Sequence, residues 1–133
     1  MVEFVNDIEK NPELQSAAIA VQNDLFRMSL VDTDAQEKVA SKNIIGQLLV
    51  TPGVSTENAD FQTKALVAVA TDSAFTEDND PFGDHSFGTV TVDDQKLFWK
   101  IDLYDVTFEF GSERPFDPAV TRRALTIMLP SEY

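Results

Sequence analysis

The chain reads as an α+β domain: a mainly antiparallel sheet of four to five strands with two amphipathic helices packed on one face. Three observations lead there. Apolar residues recur at spacings of three and four in two stretches of the first half, which is the helical period. The second half alternates with period two, the signature of strands with one covered face. Turn-forming Pro, Gly, Asn and Asp separate these stretches, with no linker, internal repeat or low-complexity tract between them. The 133 residues therefore form a single domain, 1–133, long enough to bury about two-thirds of the unfolded surface.

Residues 1–10 carry no clear period. Asn11-Pro12-Glu13 then opens a helix, with Asn as N-cap, Pro at the first helical position and Glu where the dipole favours an anion. Leu14, Ala17, Ala18, Val21, Leu25 and Met28 form its apolar stripe, which predicts a helix over 12–28. Residues 31–43 are polar and mixed in charge, a loop or a weak extra turn. Ile44 to Val50 is a short β-rich run, stopped by the turn signal Thr51-Pro52-Gly53. Thr56 is placed to cap a second helix that buries Phe61, Ala65, Leu66, Ala68 and Val69.

After an acidic loop at 76–84, Phe87 to Val92 alternates, with Val90 and Val92 opposite Thr89 and Thr91. Asp93-Asp94-Gln95 makes the turn. Lys96 to Asp105 is the clearest strand: Leu97, Trp99, Ile101 and Leu103 face inward, and Phe98 and Tyr104 imply that the other side is partly covered. Val106, Phe108 and Phe110 continue the alternation as a further strand. Asp117-Pro118 repeats the cap-plus-proline signature for one helical turn, and 124–129 closes the sheet. The first strand precedes a helix and is free to pair in either direction.

Composition excludes several function classes. There are 23 acidic and 10 basic residues, a formal net charge of −13, which opposes direct binding to nucleic acid phosphates. No apolar run reaches the roughly 18 residues of a membrane span, and the first turn lacks a basic-then-apolar leader pattern, so a cytoplasmic location is expected. With no Cys there are no disulfides, thiolate metal sites or Cys nucleophile, and one His rules out a multi-histidine zinc site.

Long words in the second half resemble a known family. Phe75-Thr76-Glu77-Asp78-Asn79-Asp80-Pro81 and Gly83-Asp84-His85-Ser86-Phe87-Gly88 are followed by Phe98-Trp99-Lys100-Ile101-Asp102-Leu103-Tyr104-Asp105. Residues 117–129, beginning Asp117-Pro118-Ala119-Val120-Thr121-Arg122-Arg123, continue the likeness to Glu132-Tyr133. Together these resemble a bacterial domain of unknown function, closely over 75–133 and more loosely over 17–28 and 44–54. That family has no established activity. Its members resemble accessory genes of plasmids and prophages, which implies a cargo role on a mobile element. The chain departs from the pattern over 29–43 and at Asp93-Asp94, where similar chains tend to carry Asp-Gly.

The densest charge lies between Lys64 and Lys96. Asp72, Glu77, Asp78, Asp80, Asp84, Asp93 and Asp94 contribute more than half the net charge there, with no basic residue among them. Such like charges repel unless a partner or cation neutralises them. Glu77, Asp78, Asp80, Asp84, Asp93 and Asp94 are the candidate partner-binding residues; solvated loop chemistry is the plainer reading of the same residues. As an EF-hand the segment fails: Phe82 offers no oxygen at position five, and Thr89 stands where a bidentate Glu is needed. An irregular calcium site from Asp78, Asp80 and Asp84 stays open, as does turn chemistry in which those side chains bond their own backbone.

His85 beside Asp84 has the makings of a general base, yet Ser86 follows it in a strand and points to the opposite face. Trp99 belongs to the inward row and reads as core. Arg122-Arg123 is the one adjacent basic pair, suited to an anion, to bridging the acidic loop or to a structural role. The leading expectation is a non-catalytic acidic interaction protein of a mobile element, acting against host defence in the manner of anti-restriction or anti-CRISPR inhibitors. It would occupy a basic nucleic-acid-binding surface on a host protein, without cofactor, metal or membrane. The alternative is a small hydrolase or metal-dependent enzyme centred on Asp78, Asp80, Asp84 and His85. A third reading makes the acidity serve solubility alone.

Overall fold

Residues 7–10 are helical, and Asn11 then opens the long helix α1 (Pro12–Met28): its side-chain oxygen accepts from the backbone N–H of Glu13 and Leu14 at 3.0 and 3.2 Å. The computed structural model describes residues 7–133, so the sequence readings that fall on residues 1–6 lie outside the described residues. The buried face of α1 differs from the expected stripe. Ile19, Ala20, Asn23, Phe26 and Arg27 face the core, whereas Leu14, Val21 and Met28 are exposed. Polar side chains on the inward face hid its period.

Residues 31–43 are not a loop. Asp32 caps α2 (Thr33–Ser41), its carboxylate accepting from the N–H of Asp34 at 3.2 Å. Only Ala35 of this helix is buried, so no apolar stripe marks it. β1 (Ile45–Val50) follows, then a single helical turn, α3 (Pro52–Ser55), where the sequence reads only a turn. The cap of α4 (Ala59–Thr71) is Asn58 rather than Thr56: Asn58 Oδ1 accepts from Phe61 N at 2.8 Å, and Thr56 Oγ1 donates to Pro52 O. Phe61, Ala65 and Val69 are buried as expected, with Ala70.

β2 (Phe87–Val92) and β3 (Gln95–Tyr104) form a hairpin with Val92 opposite Gln95. Its two-residue loop, Asp93-Asp94, has φ of +48° and +67°, the type I′ turn that suits right-handed strand twist. The Asp-Asp departure therefore leaves a tight hairpin in place. The expected strand at 106–110 does not form. The Asp105 carboxylate instead accepts from the N–H of Thr107 and Glu109, and Phe108 takes φ +59°, so the chain turns back on itself. After a 3₁₀ turn at Pro118–Val120, β4 (Arg122–Met128) closes the sheet.

The strand order is β1-β4-β3-β2, antiparallel except for the parallel β1–β4 pair. The fold is thus α+β with a four-stranded, mostly antiparallel sheet. β3 and β4 are central. Leu97, Trp99, Leu125 and Ile127 on their helix-facing side are fully buried beneath α1 and α4. The other face carries no α-helix among the described residues, but the 3₁₀ turn Pro130–Glu132 lies at its side, and Phe87, Phe98 and Tyr133 pack edge to face across it. Glu132 ties the chain's last residues to the end of β1. Its carboxylate accepts from Thr51 Oγ1 at 2.6 Å, Gly53 N at 2.8 Å and Leu129 N at 2.9 Å.

Candidate functional site

The six candidate carboxylates do not form one patch. The loop bearing Glu77, Asp78, Asp80 and Asp84 enters β2 at its start, whereas Asp93 and Asp94 turn at its end. Six strand residues separate the two groups by ~20 Å. At the hairpin, Lys64 from α4 donates to Asp93 at 3.0 Å and also pairs with Asp60, so one of the two hairpin carboxylates is neutralised. Asp94 remains exposed.

Asn79 and Asp80 shape the loop itself. Asn79 Oδ1 accepts from Thr76 N at 2.7 Å, and its amide donates to Ala74 O at 2.7 Å. Asp80 turns inward: its side chain is 8% exposed, accepts from the His85 backbone N–H at 3.2 Å and lies 3.6 Å from His85 Nε2. Asp84 accepts from Ser86 Oγ at 2.9 Å. Glu77 and Asp78 are left on the outer rim, open to water. Asp78, Asp80 and Asp84 therefore face three directions, and the irregular calcium site does not assemble. Among the described residues, no group of three or more His, Cys, Asp or Glu is placed to hold a metal ion.

His85 has partners that sequence order conceals. Asp24, on α1, places its two oxygens 2.8 and 2.9 Å from His85 Nδ1. A carboxylate only accepts, so the hydrogen-bond network assigns the proton to Nδ1. The ring stacks on Phe75 with centroids 3.8 Å apart and planes within 6°. Its backbone sits at φ +54°, a left-handed conformation that His adopts more readily than most residues. Asn23 Nδ2 donates to the Asp84 carbonyl at 3.0 Å and pins the loop to α1.

Beneath lies Arg27, 2% exposed. Its guanidinium donates to the carbonyls of Val69 at 2.6 Å and Asp72 at 2.9 Å, the last turn of α4, and to Asp24 at 2.8 Å. It also lies 4.5 Å above the Trp99 ring, a cation–π contact. Trp99 Nε1 donates to Asp72 Oδ2 at 2.9 Å, and Gly88 leaves room for that bond, because a Cβ there would collide with both groups. Asp24, Arg27, Asp72, Phe75 and His85 line a cavity of about 380 Å³.

Chemically, this is an Asp–His pair in a cavity that Thr71 and Ser73 also line. Ser86 Oγ is engaged by Asp84, and both ring nitrogens of His85 face carboxylates. The nearest arrangement to a triad is a clamp that fixes the acidic loop onto α1. Neither arginine of the basic pair bridges that loop by an ion pair. Arg122 donates to the carbonyls of Pro118 and Thr121. Arg123 is fully buried, its Nε donating to Asn23 Oδ1 at 2.8 Å and its Nη2 to Gln22 Oε1 at 2.7 Å. Burial with no facing carboxylate lowers its pKa to about 10. On the sheet face opposite α1 and α4, Gln47, Leu49, Lys100, Asp102, Thr126 and Tyr133 line a second cavity of about 500 Å³.

Sequence reasoning singled out His85 but missed Asp24, Arg27 and Asn23. The available signal was the i, i+4 pair Asn23 and Arg27 beside Ile19 and Phe26, a polar face aligned with an apolar one. No helix among the described residues is long and apolar enough to cross a membrane. No curated protein and no solved structure matches the chain. Residues 50–132 match the family described as "Protein of unknown function (DUF3768)", which takes in β2, β3, β4 and the acidic loop. That match spans well over half of the 133 residues, and the chain belongs to this family of unknown function.

Proposed function

We propose that the protein is a non-catalytic acidic docking module whose loop carboxylates occupy a basic, nucleic-acid-binding surface on a host protein. The setting is the one implied by the family likeness: an accessory protein of a mobile element that blunts a host defence. The observation that carries this reading is the placement of charge. Both fully buried charged residues, Arg27 and Arg123, are cations, and among the candidate carboxylates only Asp80 turns its side chain inward. The exterior is therefore more anionic than the formal −13.

The docking element is the rigid loop, not the hairpin. Asn79, Asp80 and the His85–Asp24 clamp hold its shape, so the outward Glu77 and Asp78 are presented without further ordering cost. Carboxylates fixed in this way substitute for backbone phosphates on a cationic cleft, and the attraction weakens with salt. The hydrolase alternative has less support, because the neighbouring Ser86 hydroxyl donates to Asp84 rather than to His85.

Capture of partners from host lysate by immobilised protein tests this, followed by identification by mass spectrometry. The expected result is a basic nucleic-acid-binding protein that is released by salt and by added nucleic acid. A partner retained against competing nucleic acid, or bound equally by a Glu77→Gln/Asp78→Asn variant, would overturn the reading.

A further inference from the structure

We propose that β1 is a self-pairing edge: two copies of this chain join antiparallel through Ile45–Val50, centred on Leu48, into one eight-stranded sheet. The inference is independent of the docking function and rests on a different part of the molecule.

β1 is the outer strand beside β4, and Ile45, Leu48 and Leu49 are each between a third and a half exposed. Exposed edges are usually blunted by a charge, a proline, a bulge or a covering element. Ile45-Gly46-Gln47-Leu48-Leu49-Val50 has no charge and no proline, and it pairs with β4 over all six residues without a bulge. Helix α2 packs on α1, and among the described residues no strand pairs with the outer side of β1.

The hydrogen-bonding phase is self-complementary. Thr51 N donates to Ile127 O at 3.1 Å, with Val50 in register with Ile127, so odd-numbered residues bond inward to β4. The N–H and C=O groups of Gly46, Leu48 and Val50 point away from the sheet. An antiparallel pair about Leu48 sets Gly46 against Val50 and Leu48 against its own copy, which satisfies every one of these outward groups. Leu48 also borders a small apolar hollow with Val54, Ala65 and Leu66, so the paired leucines meet over apolar surface.

Charge selects this occupant and this edge. With −13 on each copy, association is tolerable only where acidic clusters stay apart. The acidic loop and hairpin flank β2, the opposite edge, so pairing through β1 keeps them on the two far sides of the joined sheet. Lys38 and Lys42 precede β1 and make no ion pair among the described residues, while Glu57 and Glu132 lie past its end. Antiparallel pairing brings Lys42, just before β1, toward the far end of the other copy's strand, where Glu57 and Glu132 lie.

Sedimentation velocity over a dilution series tests the proposal, together with amide hydrogen exchange of the unmodified protein. A dimer is expected, with the amides of Gly46, Leu48 and Val50 protected when concentrated and exchanging freely when dilute. Leu48→Lys and Leu48→Glu each place like charges opposite one another and should lose the dimer, and an equimolar mixture should regain it. A monomer at every concentration, or a dimer that survives in both variants, would overturn the proposal. Protection of those three amides that does not change with dilution would also overturn it, and this measurement needs no variant to fold.

Discussion

Replacing Arg27 by Leu should destabilise the protein far more than replacing its carboxylate partner Asp24 by Asn. The guanidinium supplies the buried carbonyl of Val69 and the carbonyl of Asp72 with donors, completing the last turn of α4. Leaving a buried carbonyl unsatisfied costs about 1–3 kcal/mol. The contact with the Trp99 ring adds about 1–2 kcal/mol when desolvated. Leucine recovers part of the lost packing, so the net loss should be about 2–4 kcal/mol. Asp24 differs because its side chain is 44% exposed, and water takes over much of its role. After discounting for that screening, Asp24→Asn should cost about 1 kcal/mol or less. Urea unfolding followed by far-ultraviolet circular dichroism measures both. Equal losses, or a larger loss for Asp24→Asn, would refute the view that Arg27 acts as a helix cap and aromatic clamp rather than as half of an ion pair.

Three further outcomes follow from the same geometry. Trp99→Ala should cost about 3–5 kcal/mol, because a fully buried indole is removed, and wild-type Trp fluorescence should be blue-shifted and shielded from quenchers; a red-shifted, freely quenched signal would contradict this. The donor Thr51, then the N–H groups of Leu129 and Gly53, hold the Glu132 carboxyl below its usual pKa. Its stabilising contribution is therefore present above the ordinary carboxylate range and fades as pH falls through the lowered value. The melting-temperature gap between wild type and Glu132→Gln should be widest near neutrality and close in acid, whereas a constant gap would count against it. Asp94→Gly should stabilise by about 1 kcal/mol, since glycine takes φ +67° without strain, as thermal or urea unfolding can check.

Much of the architecture is legible in the sequence because its main signals are local. The alternation of Leu97, Trp99 and Ile101 states which face of β3 is inward, and Asn11-Pro12 marks where α1 begins. The errors arise where long-range partners override local pattern. On α1 the inward face carries Asn23 and Arg27, whose burial depends on Arg123, Trp99 and the acidic loop, all distant in sequence. The apolar count therefore favoured Leu14, Val21 and Met28, which are exposed. At 106–110 the alternating Val, Phe and Phe lost to Asp105, whose carboxylate gathers the turn. The candidate site was half visible. His85 stood out by type, but Asp24 lies 61 positions away, and only the packing of α1 against the loop joins them. The candidate acidic set divided for the same reason: proximity in sequence placed the loop and hairpin together, and the length of β2 holds them apart.

On the proposed function, the outward loop carboxylates serve a partner rather than the fold. Glu77→Gln/Asp78→Asn tests it most directly, with thermal melting and partner binding measured on the same preparation. Mutual repulsion among these charges opposes folding, so the melting temperature should stay unchanged or rise slightly while binding to the captured partner is lost. A variant that melts much earlier yet still binds its partner as tightly as the wild type would contradict the claim.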